Sequence, residues 1–339
     1  MTIVIAKKFD ESIVILSDTK ITYHENLVPK DRKNLRSDPV LDASLKTIIL
    51  YPNICVSYSG DPKSACDVIK EFKKLLEESA DLKSNFSSKR CARYLYEILI
   101  ESRADAEFIL SIVDKFSSEP ELSIFRISRD IDENDLESSS SVWIGALDAF
   151  EEFQKLFHEQ KAKNNNDRSS FSSAFHSLIT QQKIQSVGDF EITVFYEPKL
   201  GFHYVSTFWG LQTVGPIENL EANEEITIGT GTTEKGDYWE MCFESQILSN
   251  PAVAIYFAKG HFGIFFHPPK VLENEGNGVV IKDVNTRGFL NIILQRYGIP
   301  LKGFEVRDDA IYPISFPLVK VSLENHSMSK INNSSDGWV

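Results

Sequence analysis

The first eighteen residues constrain the fold of this chain more than any other stretch. Two short runs of β-branched and apolar residues, 2–8 and 12–18, are separated by a polar turn. This pattern predicts a β-hairpin at the start of the chain. A strand that begins at Thr2 leaves no room for a leader sequence, so we expect none. The hairpin also places the Thr2 hydroxyl beside the α-amine that removal of Met1 would expose.

A threonine at the end of a chain carries both a nucleophile and a base. An N-terminal amine has a pKa near about 7.7–8.0, so much of it is neutral in the cytosol. It can then accept the proton of the hydroxyl, directly or through a water. The small side chain of Thr2 permits removal of Met1. Thr2 is therefore a candidate nucleophile, although a solvent-facing strand residue is the simpler interpretation of its position alone.

Composition and charge exclude several classes of function. The formal net charge of −13 argues against a nucleic-acid partner and against an anionic membrane surface. No apolar run approaches the roughly 18 residues that a spanning helix requires. The four cysteines and seven histidines show no metal-ligand spacing, so we expect no metal and no cofactor. Cysteines in apolar contexts predict buried free thiols, which fits a reducing, cytoplasmic location.

Strand and helix patterns alternate in blocks after the hairpin. The predicted elements are strands 45–51 and 54–59, helices from Asp61 and from Ser87, strands 107–113, 122–127 and 142–144, helices 147–160 and 172–183, and strands 190–196 and 202–207. Residues 161–170 resemble a linker. This order indicates an α+β fold with two facing antiparallel sheets and a helix pair outside each, a four-layer αββα sandwich.

The C-terminal third is predicted to form an α+β extension over residues 209–323, after a first domain over 1–208. Its predicted elements are strands 225–228, 252–257, 262–266 and 279–281 and a helix over 287–297. The polar tail 324–339 is predicted to be disordered. Thr230 lies within a Gly-Thr-Gly turn and is a candidate supporting hydroxyl. The turn could also form a phosphate nest, but an ordinary strand-to-helix turn is the simpler interpretation.

The order of elements, with the chain starting on Thr2, resembles the proteasome β-subunit branch of the N-terminal-nucleophile (Ntn) hydrolases. In that family an Asp follows the N-terminal Thr by sixteen residues, and Asp18 stands at that spacing, in the matching segment Asp-Thr-Lys. The family's catalytic Lys opens the third strand, and a Gly ends the next strand fourteen residues later. Lys46 and Gly60 match these two positions. The similarity spans roughly residues 2–207.

The resemblance implies a role for each matched residue. Thr2 Oγ is the nucleophile, with its own amine as base. Lys46 lowers the effective pKa of the Thr2 hydroxyl and relays its proton, while Asp18 keeps Lys46 charged and oriented. The Gly60 N–H is the oxyanion donor. The family also implies a peptide or protein substrate, a homo-oligomer, and an unfoldase or regulatory partner.

The chain departs from the family pattern at the groups that hold the N-terminal amine. The supporting Ser of the Gly-x-Gly loop falls on Ala146, and the supporting Asp falls near residues 183–185, where no acid stands. Only Ser186 remains there as a candidate. These departures favour a second interpretation, a non-catalytic member of the fold that binds, senses or assembles. A small-molecule amidase on the same fold is a third.

Overall fold

Strands and helices alternate in blocks along a mixed α/β chain with antiparallel sheets. The computed structural model describes residues 2–20, 43–78, 87–114, 121–181, 184, 187–188, 190–212, 237–257, 261–307 and 310–316. The elements in chain order are β1 (Ile3–Phe9), β2 (Ser12–Asp18), β3 (Thr47–Tyr51), β4 (Ile54–Gly60), α1 (Pro62–Glu78), α2 (Ser88–Ser102), β5 (Ala106–Asp114), β6 (Glu121–Ile127), a 3-10 turn (Glu133–Asp135), β7 (Ser141–Gly145), α3 (Leu147–Lys163), α4 (Asp167–Gln181), β8 (Glu191–Glu197), β9 (Gly201–Tyr204), β10 (Phe208–Gln212), β11 (Asp237–Ser245), β12 (Val253–Phe257), β13 (Phe262–Phe266), α5 (Pro268–Glu273), β14 (Val279–Ile281), α6 (Thr286–Tyr297), β15 (Leu301–Arg307) and β16 (Ala310–Phe316).

The expected N-terminal hairpin is confirmed and forms the centre of the first sheet. This sheet has the order β7-β1-β2-β8-β9, with antiparallel pairing throughout. Phe9 pairs with Ser12 across the turn, and Val4 pairs with Ser17 near the other end. The register therefore brings the start of β1 beside the end of β2.

Both faces of the hairpin are buried, and its residues alternate between two apolar clusters. One face packs with aromatic and apolar residues of α3 and α4, and the other shares a cluster with β3–β6, α1 and α2. The first face presents Ile3, Ile5, Val14 and Leu16, and the second presents Val4, Ala6, Ile13 and Ile15. Burial of each large aliphatic side chain contributes roughly 1.5–3 kcal/mol. A strand apolar on both faces must be covered on both faces, which explains its continuous apolar sequence.

The second sheet has the order β3-β4-β5-β6 and carries α1 and α2. The predicted start of α1 is confirmed, because the Asp61 carboxylate accepts a hydrogen bond of 2.8 Å from the Ser64 N–H. Pro62 at the first helical position has no N–H that would need a partner. The apolar face of α1 then lies in the same cluster as the sheet, with Ala65, Val68, Ile69 and Phe72 buried.

A third sheet, formed by the C-terminal region, has the order β14-β13-β12-β11-β15-β16, and β10 pairs with β11. One of its faces packs against α6 through Phe289, Leu290 and Ile293. The other face contributes Val253 and Ile255 to the cluster that also contains the hairpin and the second sheet. The C-terminal region is therefore continuous with the core of the first two sheets.

The linker expected over residues 161–170 was wrong. The helix α3 continues to Lys163, and α4 already begins at Asp167. The Asn166 side chain accepts hydrogen bonds of 3.0 and 3.1 Å from the Arg168 and Ser169 N–H groups. A run of Asn residues resembled a flexible segment, but one of them is a helix N-cap.

Sequence analysis also missed the last two strands. The strand β16 contains Pro313, which disfavours a strand when the sequence is considered alone. It is tolerated here because β16 lies at the edge of its sheet. The expected strand 225–228 and the tail 324–339 lie outside the described residues. In the part of the chain that the structure describes, no helix is both long enough and apolar enough to cross a bilayer.

Candidate functional site

Three side chains from two sheets meet at one end of the hairpin. Thr2 stands just before β1, Asp18 ends β2, and Lys46 stands just before β3 of the second sheet. The Lys46 Nζ lies 3.0 Å from Asp18 Oδ1. It also donates a hydrogen bond to Thr2 Oγ1, and the Thr2 hydroxyl in turn donates to Asp18 Oδ1. The hydroxyl thus lies between an ammonium and a carboxylate.

The ion pair is almost completely removed from solvent. The Lys46 side chain is 3% exposed and that of Asp18 is fully buried. Desolvation of both charges is costly unless further hydrogen bonds satisfy them. Here the Ile3 and Gly188 N–H groups donate to Asp18 at 3.2 and 3.3 Å, and Lys46 donates to the Lys20 carbonyl. These additional bonds give both charged groups hydrogen-bond partners beyond each other.

The loop after β7 holds the main chain of Thr2. The Ala146 N–H donates to the Thr2 carbonyl at 2.7 Å. Gly145 has a φ of +104°, and a Cβ built there would lie 2.0 Å from the same carbonyl oxygen. Only glycine permits this approach. The loop therefore fixes the backbone of Thr2, although Ala146 supplies no hydroxyl at the family's serine position.

Gly60 ends β4 on the side of the sheet where Lys46 lies. The Tyr58 N–H, two residues earlier, donates to the Lys46 carbonyl at 2.9 Å. Gly60 is exposed and has a φ of +103°, and a Cβ there would lie 2.3 Å from the Asp105 carbonyl oxygen. The position requires glycine for its own backbone, independently of any role as an oxyanion donor.

The other two candidates cannot be placed. Ser186 and Thr230 lie outside the described residues, as does Met1. Their suggested roles stay predictions.

Glu107 is a neighbour of the site that sequence analysis did not single out. Its carboxylate accepts hydrogen bonds from the Gly145 N–H at 3.2 Å and from the Ser59 hydroxyl at 3.4 Å. The Arg126 guanidinium donates to its other oxygen at 2.6 Å. Glu107 therefore joins the Gly145 loop to the end of β4. An acid in an otherwise apolar strand was the signal that could have revealed it.

The described residues contain a large open cleft that is remote from these three side chains. It has a volume of about 790 Å³ and lies at the opposite end of the hairpin, at the β1–β2 and β8–β9 turns and the start of α4. Within the described ranges, no group of three or more His, Cys, Asp or Glu side chains is placed to hold a metal ion.

The chain resembles solved structures at low sequence identity. No family model matches the sequence, and no curated protein matches it. Among solved structures, the chain is similar to eukaryotic HslV from Trypanosoma brucei, with 13% identity, 58% of this chain and 99% of that chain covered, and a TM-score of 0.40. It is also similar to the Gly-1 mutant of Anbu from Hyphomicrobium sp. strain MC1, with 14% identity, 58% and 82% coverage, and a TM-score of 0.42. Likenesses this distant carry no argument about activity.

Proposed function

We propose that the chain is a proteasome-like threonine hydrolase that cleaves peptide or other amide bonds with Thr2 after removal of Met1. The observation that carries the proposal is the contact of the Thr2 hydroxyl with both Lys46 and Asp18. A hydroxyl between a buried cation and a buried anion is polarised, and its orientation is fixed by two partners. A strand threonine with only a structural role needs neither a charged donor nor a charged acceptor.

In the proposed reaction Thr2 Oγ attacks the carbonyl carbon of the substrate. Its proton passes to the α-amine of Thr2, and the carbonyl electrons move to oxygen, where the Gly60 N–H stabilises the charge. The C–N bond then breaks, and the leaving amine takes the proton from the α-ammonium. An acyl ester on Thr2 remains. Water then attacks the ester carbonyl and gives a proton to the α-amine, which passes it to Thr2 Oγ as the ester bond breaks. Lys46 stabilises the developing charge on Oγ, and Asp18 holds Lys46.

The proposed hydrolase would have the four-layer αββα sandwich fold. The two apolar clusters support it, because the hairpin buries one face against α3 and α4 and shares the other with the second sheet. Residues 1–208 would form this hydrolase domain and residues 209–323 the α+β extension. The resemblance alone supports a homo-oligomer and an unfoldase or regulatory partner. A cytoplasmic location is supported by four cysteines that are all buried and free.

A second candidate function is a non-catalytic member of the fold that binds or assembles. Two observations favour it. Thr2 is 3% exposed, which leaves its hydroxyl little access to a substrate. Ala146 provides no side-chain hydrogen bond at the loop where the family has a serine. Under this interpretation the Thr2–Asp18–Lys46 contacts stabilise the fold and do no chemistry.

The intact mass of the protein purified from its own host is the first test. Loss of Met1 would leave Thr2 with a free amine, as the proposal requires. The purified protein is then treated with a threonine-directed epoxyketone and assayed on fluorogenic peptide amides and small amides. We expect an adduct on Thr2 and hydrolysis of the peptides. Preference for the small amides would instead support the amidase.

The matched variants are Thr2→Ala and Thr193→Ala. Thr193 is also a strand threonine whose hydroxyl donates to a buried carboxylate, that of Glu191, at 3.2 Å. We expect Thr2→Ala to abolish both adduct and hydrolysis, while Thr193→Ala retains both. Retention of Met1 under all conditions would exclude the hydrolase and leave the non-catalytic candidate. Hydrolysis that survives Thr2→Ala would show that Thr2 is not the nucleophile and would overturn the proposed site.

A further inference from the structure

The backbone that carries Lys46 is held by three different parts of the molecule. The Ser44 N–H donates to the Thr19 carbonyl at 2.9 Å, next to Asp18. The Leu45 N–H donates to the Gly276 carbonyl at 3.0 Å, and the Lys46 carbonyl accepts from β4 at 2.9 Å. Three successive residues therefore bond to the first sheet, the C-terminal region and the second sheet. The C-terminal contact is the one that the resemblance to a family does not cover.

The turn that makes this contact is residues 274–278, which we call the C-terminal turn. It follows the helix α5, whose Val271 and Leu272 lie in the same apolar cluster as the hairpin and the second sheet. The Gly276 N–H donates to the Val271 carbonyl at 2.9 Å, and Asn277 forms an isolated β-bridge with Ser44. The turn is thus anchored to the core on one side and to the segment before Lys46 on the other.

Gly276 leaves no space for a side chain. Its φ is +91°, and a Cβ would lie 2.4 Å from Ser44 Oγ and 2.5 Å from Tyr58 Oη. These two hydroxyls are themselves 2.7 Å apart and buried. Burial raises the pKa of Tyr58 well above its usual value, so its hydroxyl stays protonated and hydrogen-bonded. The contact therefore requires glycine both for its backbone and for its neighbours.

We infer that the C-terminal turn positions Lys46, and that Gly276 is a positioning residue of the proposed hydrolase site. The inference rests on the proposed function for its effect on rate, but the effect on Lys46 can be measured without it. Displacement of the turn moves Ser44 and Leu45, and through them the ammonium that contacts Thr2. The C-terminal region is then part of what assembles the site.

The experiment compares Gly276→Ala with Gly298→Ala in the full chain. Gly298 is the matched control, because it lies in the same C-terminal region with a φ of +69° and a Cβ there would meet nothing within 4 Å. Both variants place an alanine at a residue with a left-handed backbone conformation. Only in Gly276→Ala would the new Cβ also clash with Ser44 and Tyr58. Urea unfolding shows whether each variant is folded. Tyr58→Phe, which removes only the hydroxyl beside Ser44, is the milder second variant.

Two readouts are taken on each protein, the kcat and KM for a peptide amide and the rate at which acetic anhydride labels Lys46. A displacement of about 1 Å in a catalytic group can lower the rate on the order of 10²-fold. We expect such a fall in kcat for Gly276→Ala with KM little changed, and a smaller fall for Tyr58→Phe. Labelling of Lys46 should accelerate in both, while that of the exposed Lys199, at the far end of the first sheet, should not change.

Each outcome decides the inference. Faster labelling of Lys46 in Gly276→Ala but not in Gly298→Ala supports positioning, even if the wild-type protein hydrolyses nothing and the proposed function fails. Equal labelling and equal kcat in the two glycine variants would overturn it. If Gly276→Ala does not fold, Tyr58→Phe decides, since an unchanged Lys46 labelling rate in that variant also overturns it.

Discussion

The two ends of the five-stranded sheet both gather charged side chains, but only one end encloses them. At the site end, Lys46 and Asp18 lie 3.0 Å apart and are almost completely buried. At the other end, an open cleft of about 790 Å³ is lined by acidic and basic residues of the β1–β2 turn, the start of α4 and the β8–β9 turn. There Lys199 is exposed, and the Arg168 guanidinium lies 3.7 Å from the centroid of the Phe195 ring.

The difference shows that the buried ion pair and the open cleft lie at opposite ends of this sheet. Charges in water interact weakly, since both solvation and salt screening reduce their attraction. Charges enclosed by the fold interact strongly and must be paired. The cleft can exchange a surface charge at little cost, whereas the site cannot lose either member of its pair. Stability measurements can separate the two ends before any substrate is known.

The largest expected effect is that of Lys46→Met. The substitution leaves the buried Asp18 carboxylate without its cation, and breaking a buried pair typically costs about 3–5 kcal/mol. Lys199→Met at the cleft is the matched change and should alter the free energy of unfolding by no more than about 0.5 kcal/mol. Urea denaturation of both variants measures the difference. Equally small changes would mean that burial of the Lys46–Asp18 pair is not maintained in solution.

A comparison of two glycines separates strain from function. Gly145 at the site and Gly201 near the cleft have φ values of +104° and +79°, and a Cβ at either would meet a carbonyl oxygen at 2.0 or 2.3 Å. Each Ala variant should lose about 1–3 kcal/mol or more of stability through strain. Only Gly145→Ala should also lower hydrolysis, because the carbonyl it displaces is that of Thr2.

Hydrolysis assays on the folded fraction of each glycine variant, together with urea denaturation, test this prediction. Equal loss of activity in Gly145→Ala and Gly201→Ala would show that activity follows global stability. In that case the position of the Thr2 backbone would not limit the rate.

A smaller effect than those of Lys46→Met and the two glycine variants is expected for Arg168→Ala at the cleft. Burial lowers the pKa of Arg168, and the nearby Glu197 partly opposes that shift. Loss of the stacked guanidinium should cost about 0.5–1 kcal/mol. Arg168→Lys keeps a charge without the planar group and should recover part of the loss. Thermal unfolding measures both, and hydrolysis should not change in either. A fall in hydrolysis would show that the two ends of the sheet are coupled.

The elements that sequence analysis predicted are those whose signal is local. The hairpin and the strands β3 and β4 follow from short β-branched and apolar runs and the turn residues between them, and the start of α1 follows from Asp61 and Pro62. The misjudged linker at 161–170 and the missed strand β16 are cases where the context decided. Asn166 caps a helix whose Phe171 and Phe175 are buried in the same cluster as the hairpin, and Pro313 is compatible with a strand at a sheet edge.

The same division applies to the site. The sequence by itself determined which residues could take part, because one hairpin separates Thr2 from Asp18, a second separates Lys46 from Gly60, and both spacings match the family that the chain resembles. Only the tertiary structure decided that Lys46 contacts Thr2 across two sheets, and that Glu107 and Gly276 belong to the surroundings. These contacts join residues far apart in the chain, and a local pattern carries no information about which distant backbone will fold against it.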